Sequence, residues 1–399
     1  MLPSRRALIG SSAGCFAWSF LPRWAQAAGA RDMRLVVIVL RGALDGLSAV
    51  APVGDPNYGE LHGSLALSNK GDHAGLPLDG FFVLHPAMPA FARLFAAKQA
   101  VVIHAVATGY RSRSHFDGQD VLESGQPAPG LTQSGWLNRA LLVLPPGERV
   151  DSRGLAVGAV APLVIRGAAP VLGWAPQSLP VASNDLAERL LRLYGQRDPE
   201  LRTALQSGLA SGRLAGADRM TGAGGMDTPS GMRQAAGGAA RLLAAPDGPR
   251  IAALAFDGWD THTNEGGATG RLAQLLGGLD AAFSAFETEL GSAWADTTIV
   301  AVTEFGRTAR INGTIGTDHG TGTVAFLAGG GVQGGRVHAD WPGLRPSDLF
   351  EGRDLRPTTD LRAVLKGVLA TQWGLSETVL AADIFPGTEG LRPLSALFA

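Results

Sequence analysis

Carboxylates, imidazoles and guanidiniums gather in four short stretches of this 399-residue chain, each after an apolar run. The densest lies between Thr298 and Gly331, where Glu304, Arg307, Arg310, Asn312, Asp318 and His319 separate two apolar segments. Asp257, Asp260 and His262 fall within six residues of one another in Phe256–Asn264 (FDGWDTHTN). Thr108–Gly125 (TGYRSRSHFDGQDVLESG) carries Arg111, Ser112, Arg113, Ser114 and His115 to the start of a predicted helix. Asp45 stands in the turn Arg41–Gly46. Aspartate, glutamate and histidine together suit a hard or borderline divalent cation. Arg111, Arg307 or Arg310 would clamp an anion, and Ser114 at a helix start would attack it. Ordinary readings stand beside these: Asp45 as a turn residue bonding its own backbone, Ser114 as an N-cap with solvated arginines. His104, alone in a strand, reads as a satisfied core residue, and His62 and His73 as solvated loop side chains.

The elements that would hold these residues follow from hydrophobic pattern. Leu35–Leu40, Val101–Val106, Ile251–Phe256, Thr298–Val302 and Val324–Leu327 are apolar runs of strand length, the kind buried in a parallel sheet. Leu155–Ile165 holds one or two short strands. Helical spacing predicts helices over Pro86–Gln99, His115–Glu123, Gly135–Leu144, Leu272–Leu290 and Leu361–Trp373. The strand–helix–strand unit over 251–302 argues for parallel pairing. In a parallel sheet the ends of successive strands open at one edge. Asp45, then Ser114 with His115, then Asp257, Asp260 and His262, then Glu304, Asp318 and His319 would therefore converge there. Such a pool fits a one- or two-metal hydrolytic site, in which cations lower the pKa of a nucleophile and screen a transferring phosphoryl or sulfuryl group. Zn, Ca, Mg and Mn are not distinguished by it. The expected fold is α/β, a doubly wound, mostly parallel sheet flanked by helices. Three helical patterns between 184 and 245, poor in chemistry-bearing clusters, read as an insertion or cover.

Composition narrows the class. Hydrophobic content of 45%, charge content of 17% and 55 glycines describe a globular chain with a large core and long loops. A formal net charge of −1 gives no basic field for nucleic acid. Ser4-Arg5-Arg6, the mild apolar stretch Ala7–Leu21 and Ala25-Gln26-Ala27 resemble a twin-arginine export signal with its cleavage site. The apolar run is shorter than the roughly 20 residues a membrane span needs. Residues 1–27 are thus expected to be a signal peptide, 28–399 a single domain, and the location periplasmic or secreted. The lone cysteine, Cys15, falls inside the signal. The Ser12–Cys15 run only faintly resembles a lipoprotein box.

The twin-arginine start, LRGALDG, TGYRSRSHFDGQD, FDGWDTH, TEFGRT and GTDHGTGT together resemble the bacterial domain-of-unknown-function 1501 family over the whole mature chain. That family is similar to the alkaline phosphatase and sulfatase superfamily, which implies two metals around a nucleophile. By that resemblance Asp45 matches a metal-bridging aspartate and Ser114 falls near the nucleophile. Asp257 and His262 resemble an Asp-x-x-x-His pair, and His319 resembles the last metal histidine. Glu304 stands where the superfamily has Asp-His. Here Asp257 to His262 is one residue longer than that pair, leaving Asp260 as the alternative partner. Phe305 occupies the place of a histidine, Arg41–Leu44 displaces Asp45 from its strand, and Ser112 competes with Ser114. The resemblance implies an exported metal-dependent hydrolase of a phosphate or sulfate ester, with Asp45, Asp257, His262, Glu304 and His319 as ligands and Asp260 and Asp318 in reserve. Two other roles remain open: a non-catalytic envelope binding or assembly protein, and transfer to a cell-surface polymer.

Overall fold

In Arg34–Leu40 seven residues in a row are buried, so both faces of this strand must be covered, and it lies inside the sheet. The computed structural model describes residues 32–72, 74–144, 154–176, 184–215 and 225–397. The expected signal segment 1–27, with Cys15, and His73 lie outside the described residues. The main sheet is built from β1 (Arg34–Leu40), β2 (Ala100–Ala107), β3 (Gly154–Val157), β4 (Val171–Trp174), β5 (Ile251–Phe256), β6 (Thr297–Val302), β7 (Thr323–Ala328), β8 (Arg336–His338) and β9 (Thr359–Asp360). Its order is β8-β2-β7-β6-β1-β5-β3-β4, with β9 also paired to β2. β1 pairs parallel with both β5 and β6, Val37 lying opposite Ala253 on one side and Val300 on the other. β7 runs antiparallel to β6 and to β2; every other pairing in this sheet is parallel. The sheet is therefore mixed and mostly parallel, with helices on both faces.

Alternation along the strands sorts the core into two layers. Val36, Ile38, Leu254, Phe256, Ile299 and Phe326 pack with α1 (Pro89–Ala96), α6 (Pro229–Ala244) and α7 (Arg271–Leu290) on one face. Leu35, Val37, Val39, Val300, Val302 and Leu327 pack with α3 (Trp136–Val143) and α8 (Leu361–Trp373) on the other. Between these, α2 (His115–Ser124) follows β2. The helices α4 (Asn184–Arg197) and α5 (Pro199–Ala215) are largely exposed. The third helix of that segment differs: α6 buries Met232, Ala235, Ala236, Ala239 and Leu243 in the first core layer. Its small side chains let it sit close on the sheet, so it belongs to the flanking layer rather than to an insertion. In the 155–165 stretch only β3 is extended; Leu163–Ile165 forms a 3₁₀ turn. Three two-residue strands form a small antiparallel sheet of their own.

Because β7 is reversed, its beginning lies beside the ends of β2 and β6. Residues just before β7 thus share an edge with residues just after β1, β2, β5 and β6. Close approach of these loops is tight: at Gly42 (φ +121°) a Cβ would come within 2.4 Å of the Asp260 backbone nitrogen. Only glycine supplies both that conformation and that clearance.

Candidate metal centre

Four residues meet at this edge. His115 is the first residue of α2, Asp260 and His262 follow β5, and His319 precedes β7. His262 Nε2 stands 3.1 Å from Asp260 Oδ1, His319 Nε2 3.5 Å from the same oxygen, and His115 Nε2 3.4 Å from Asp260 Oδ2. The Nε2 atoms of His262 and His319 are 2.9 Å apart. His115, Asp260 and His319 each offer a ligand atom within 4.8 Å of the others.

The far nitrogen of each imidazole decides what the near one presents. His115 Nδ1–H donates to Glu304 Oε1 at 2.8 Å, His262 Nδ1–H to Asp318 Oδ1 at 3.1 Å, and His319 Nδ1–H to the Arg113 carbonyl at 3.0 Å. Two carboxylates and a carbonyl can only accept, which assigns the proton to Nδ1 in all three neutral rings. Three bare Nε2 lone pairs then face one carboxylate and one another. Acceptors crowded in this way repel unless a positive charge sits among them. The buried His115 Nε2, which makes no hydrogen bond, is the clearest sign. Histidines braced through the second nitrogen by carboxylate or carbonyl are the usual surround of a bound divalent metal, and the residues present fit one.

Without a cation, the groups of the cluster shift one another, and His115 is the ring that most readily takes up a proton in its place. Burial pushes Glu304 up, yet hydrogen bonds from His115, Gln119 and the Gly42 N–H outweigh it and hold its carboxyl below the usual range. The hydrogen bond to Glu304 in turn raises His115. Burial, reinforced by the charge of His115, lowers His319. Burial would raise Asp260, but the adjacent Arg307 charge and hydrogen bond bring it below the ordinary value. Asp318 is lowered, chiefly by the Asn312 amide. Arg307, 2% exposed, donates from Nη1 to Asp260 Oδ1 at 2.8 Å and from Nε to Thr317 Oγ1 at 3.3 Å, while Nη2 is buried without a partner. Phe305 stacks on His115 with centroids 5.1 Å apart and lies 5.4 Å from His319, so this side chain walls the cluster.

Of the residues singled out in the sequence, Asp260, His262 and His319 supply the facing atoms. Glu304 and Asp318 sit behind the imidazoles as acceptors, and Arg307 holds Asp260. Asp45 is not brought among them. It caps the short helix Gly46–Ala49, accepting from the Leu47 and Ser48 N–H groups at 2.9 and 3.0 Å, and its other oxygen is 3.6 Å from His62 Nε2. Asp257 supplies none of the facing atoms: its backbone N–H donates to Asp227, and burial, then the Asp227 charge, raises its carboxyl. Arg111 turns back onto the Thr108 and Tyr110 carbonyls, and Arg310 reaches Glu60 at the surface. Ser114 occupies the N-cap position of α2, but its hydroxyl makes no capping bond; Ser112 is exposed. His62, expected to be solvated, is fully buried between the Ser48 hydroxyl and the Ala309 carbonyl. The partner that buries it comes from a loop almost 250 residues away, which no local pattern reveals. His115 was named only as a neighbour of Ser114; a histidine opening a helix at a strand end was the available signal.

The profile of the family described as "Protein of unknown function (DUF1501)" matches residues 32–384. No curated protein matches the chain. Among solved structures, the chain is similar to Ps i-CgsB in complex with k-i-k-neocarrahexaose, at 11% identity and TM-score 0.45 over 90% of this chain and 75% of that one. It is similar to the phosphonate monoester hydrolase of Agrobacterium radiobacter, at 14% identity and TM-score 0.31 over 76% and 70%. A third likeness is to the C-terminal periplasmic domain of EcEptC from Escherichia coli in complex with Zn, at 10% identity and TM-score 0.33 over 76% and 73%. At these scores the likenesses carry no argument about chemistry. Among the described residues no helix is long and apolar enough to cross a membrane.

Proposed function

Because the chain belongs to the DUF1501 family, whose description assigns no reaction, we propose a function from the site itself: metal-dependent hydrolysis of a phosphate or sulfate ester by an exported protein. The observation that carries it is the set of three imidazoles with engaged Nδ1 and bare Nε2 around Asp260. His115, His262, His319 and Asp260 would hold one divalent cation. An imidazole-rich set with one carboxylate favours zinc or a similar borderline ion over calcium or magnesium, which prefer all-oxygen surroundings. When bound, such an ion polarises an ester oxygen and acidifies water.

The protein's own groups do the positioning. Arg307 keeps Asp260 ionised and fixed, and its charge adds to the pull on an incoming anion. Glu304 and Asp318 hold the rings of His115 and His262 in one tautomer. The non-capping Ser114 hydroxyl, one residue from His115, is the group offered as nucleophile, Ser112 being its rival. Arg111 is left out of this role because its guanidinium is engaged by carbonyls. Export through the twin-arginine route is part of the proposal and is supported by Ser4-Arg5-Arg6 and the Ala-Gln-Ala site.

The test is metal content together with a screen of aryl phosphates, sulfates and phosphonates. The proposal expects one equivalent of metal, turnover abolished by chelator, and loss of turnover in Ser114→Ala with metal retained. A protein inert to every ester, whether it takes up metal or not, would support the binding or assembly role, and one that takes up no metal would remove the metal centre as well.

A further inference from the structure

The structure assigns Asp354, 35 residues after His319, as a positioning residue that fixes the imidazole of His319 through two arginines. This rests on the metal-centre reading for its consequence, though not for its geometry.

Asp354 is fully buried. Its Oδ2 accepts from Arg113 Nε at 2.9 Å and Nη2 at 2.7 Å, and from the Thr321 hydroxyl at 2.8 Å. Its Oδ1 accepts from Arg353 Nε at 2.9 Å. Two donors of the Arg113 guanidinium converge on this one buried oxygen, which holds the side chain in place. Both arginines then reach His319. The carbonyl of Arg113 accepts the His319 Nδ1–H at 3.0 Å, and Arg353 Nη2 donates to the His319 carbonyl at 2.6 Å. Thr321 is two residues further along the same segment. One carboxylate thus holds the ring, the carbonyl and the following chain of His319.

The backbone adds a second sign. Arg113 has φ +58°, a left-handed conformation uncommon outside glycine, asparagine and aspartate. That conformation, at the residue whose carbonyl meets the imidazole, costs free energy unless something holds it. Asp354 and Glu351, which pair with its side chain, are what hold it. The extended pairings of Arg307 with His319 and of Thr308 with Asp354 tie the same loops together, so Asp354 and His319 are neighbours of one intervening segment.

His115 and His262 take their acceptors from Glu304 and Asp318, independently of Asp354. Loss of Asp354 should therefore disturb one tautomer out of three, a selectivity that a general loss of stability would not produce. The experiment is ¹⁵N–¹H long-range NMR of the histidines in metal-free full-length protein, with zinc titration alongside. Wild type is expected to show a persistent His319 Nδ1–H on the Arg113 carbonyl, any proton shared between the His262 and His319 Nε2 atoms being additional to it. In Asp354→Asn, His319 should lose Nδ1–H population while His115 and His262 keep theirs, and zinc affinity should fall about 10–100-fold, the usual cost of an outer-sphere change. If Asp354→Asn does not fold, Arg113→Gln, which leaves Arg353 on the buried carboxylate, is expected to give the same selective change. A folded variant whose His319 stays wholly Nδ1-protonated with zinc affinity unchanged overturns the assignment. Wild-type protein that shows the expected tautomers, with the variant's selective change, but takes up no zinc supports the role of Asp354 and overturns the metal reading instead.

Discussion

A neutral imidazole has one lone pair to give, and in this protein three of them are aimed by what stands behind the ring. That makes outer acceptors nearly as consequential as facing atoms. Asp318→Asn should weaken zinc binding about 10–100-fold, whereas Asp257→Asn, which removes neither a facing atom nor an acceptor behind a ring, should change it far less; competition with a chromophoric chelator measures both. Asp45 and Asp260 show why residue type alone did not separate ligand from cap. Each is an aspartate in a Gly-containing turn after a strand, and each was read as metal-binding. What divides them is whether the backbone beyond the carboxylate enters a helix at once, giving two N–H groups to Asp45, or continues as a loop held by Arg307.

Elements carry the site by their ends. Long apolar runs such as Arg34–Leu40 and Ile251–Phe256 are legible because burial on both faces leaves no other reading, and they fix which loops share an edge. The reversal of β7 was not legible, since an apolar run has no direction, yet it is what brings His319 to that edge. Equally hidden were Arg113 and Asp354, 241 residues apart. At this scale the N-cap of α8, which supplies none of the facing atoms or their acceptors, offers a comparison. Asp360 accepts from the Arg362 N–H at 2.9 Å, and Asp360→Ala should cost about 1 kcal/mol by urea unfolding. The midpoint should drop with the slope unchanged and zinc affinity untouched.

At the scale of the whole molecule, His104 and Glu265, two of the buried titratable groups among the described residues, push its pH dependence in opposite directions. Burial lowers His104 to about 4 from 6.5, and geometry agrees: Nε2–H donates to the Val50 carbonyl at 2.9 Å while Nδ1 accepts the Ala105 N–H at 2.8 Å, leaving no site for a second proton. The unfolded chain binds more protons between those values, so this contribution is complete above 6.5 and is lost as pH falls toward 4. The loss is on the order of 3 kcal/mol, and His104→Gln should flatten the acid limb of stability measured by urea midpoint. Glu265 behaves oppositely. Burial, then the Asp45 charge, raises its carboxyl well above 4.5, while the Thr261 and Thr317 hydroxyls donate to Oε2. Stability is therefore lost as pH climbs through the raised value, and Glu265→Gln should gain on wild type increasingly toward alkaline pH.

The claim beneath all of this is that His115, Asp260, His262 and His319 surround one cation. Anomalous diffraction at the zinc edge, from crystals of the full chain grown with zinc, tests it most directly. The account predicts a single strong peak about 2.0–2.2 Å from the three Nε2 atoms and an Asp260 oxygen. An empty cluster, or zinc seated elsewhere while these four side chains keep the contacts seen among themselves, would contradict it.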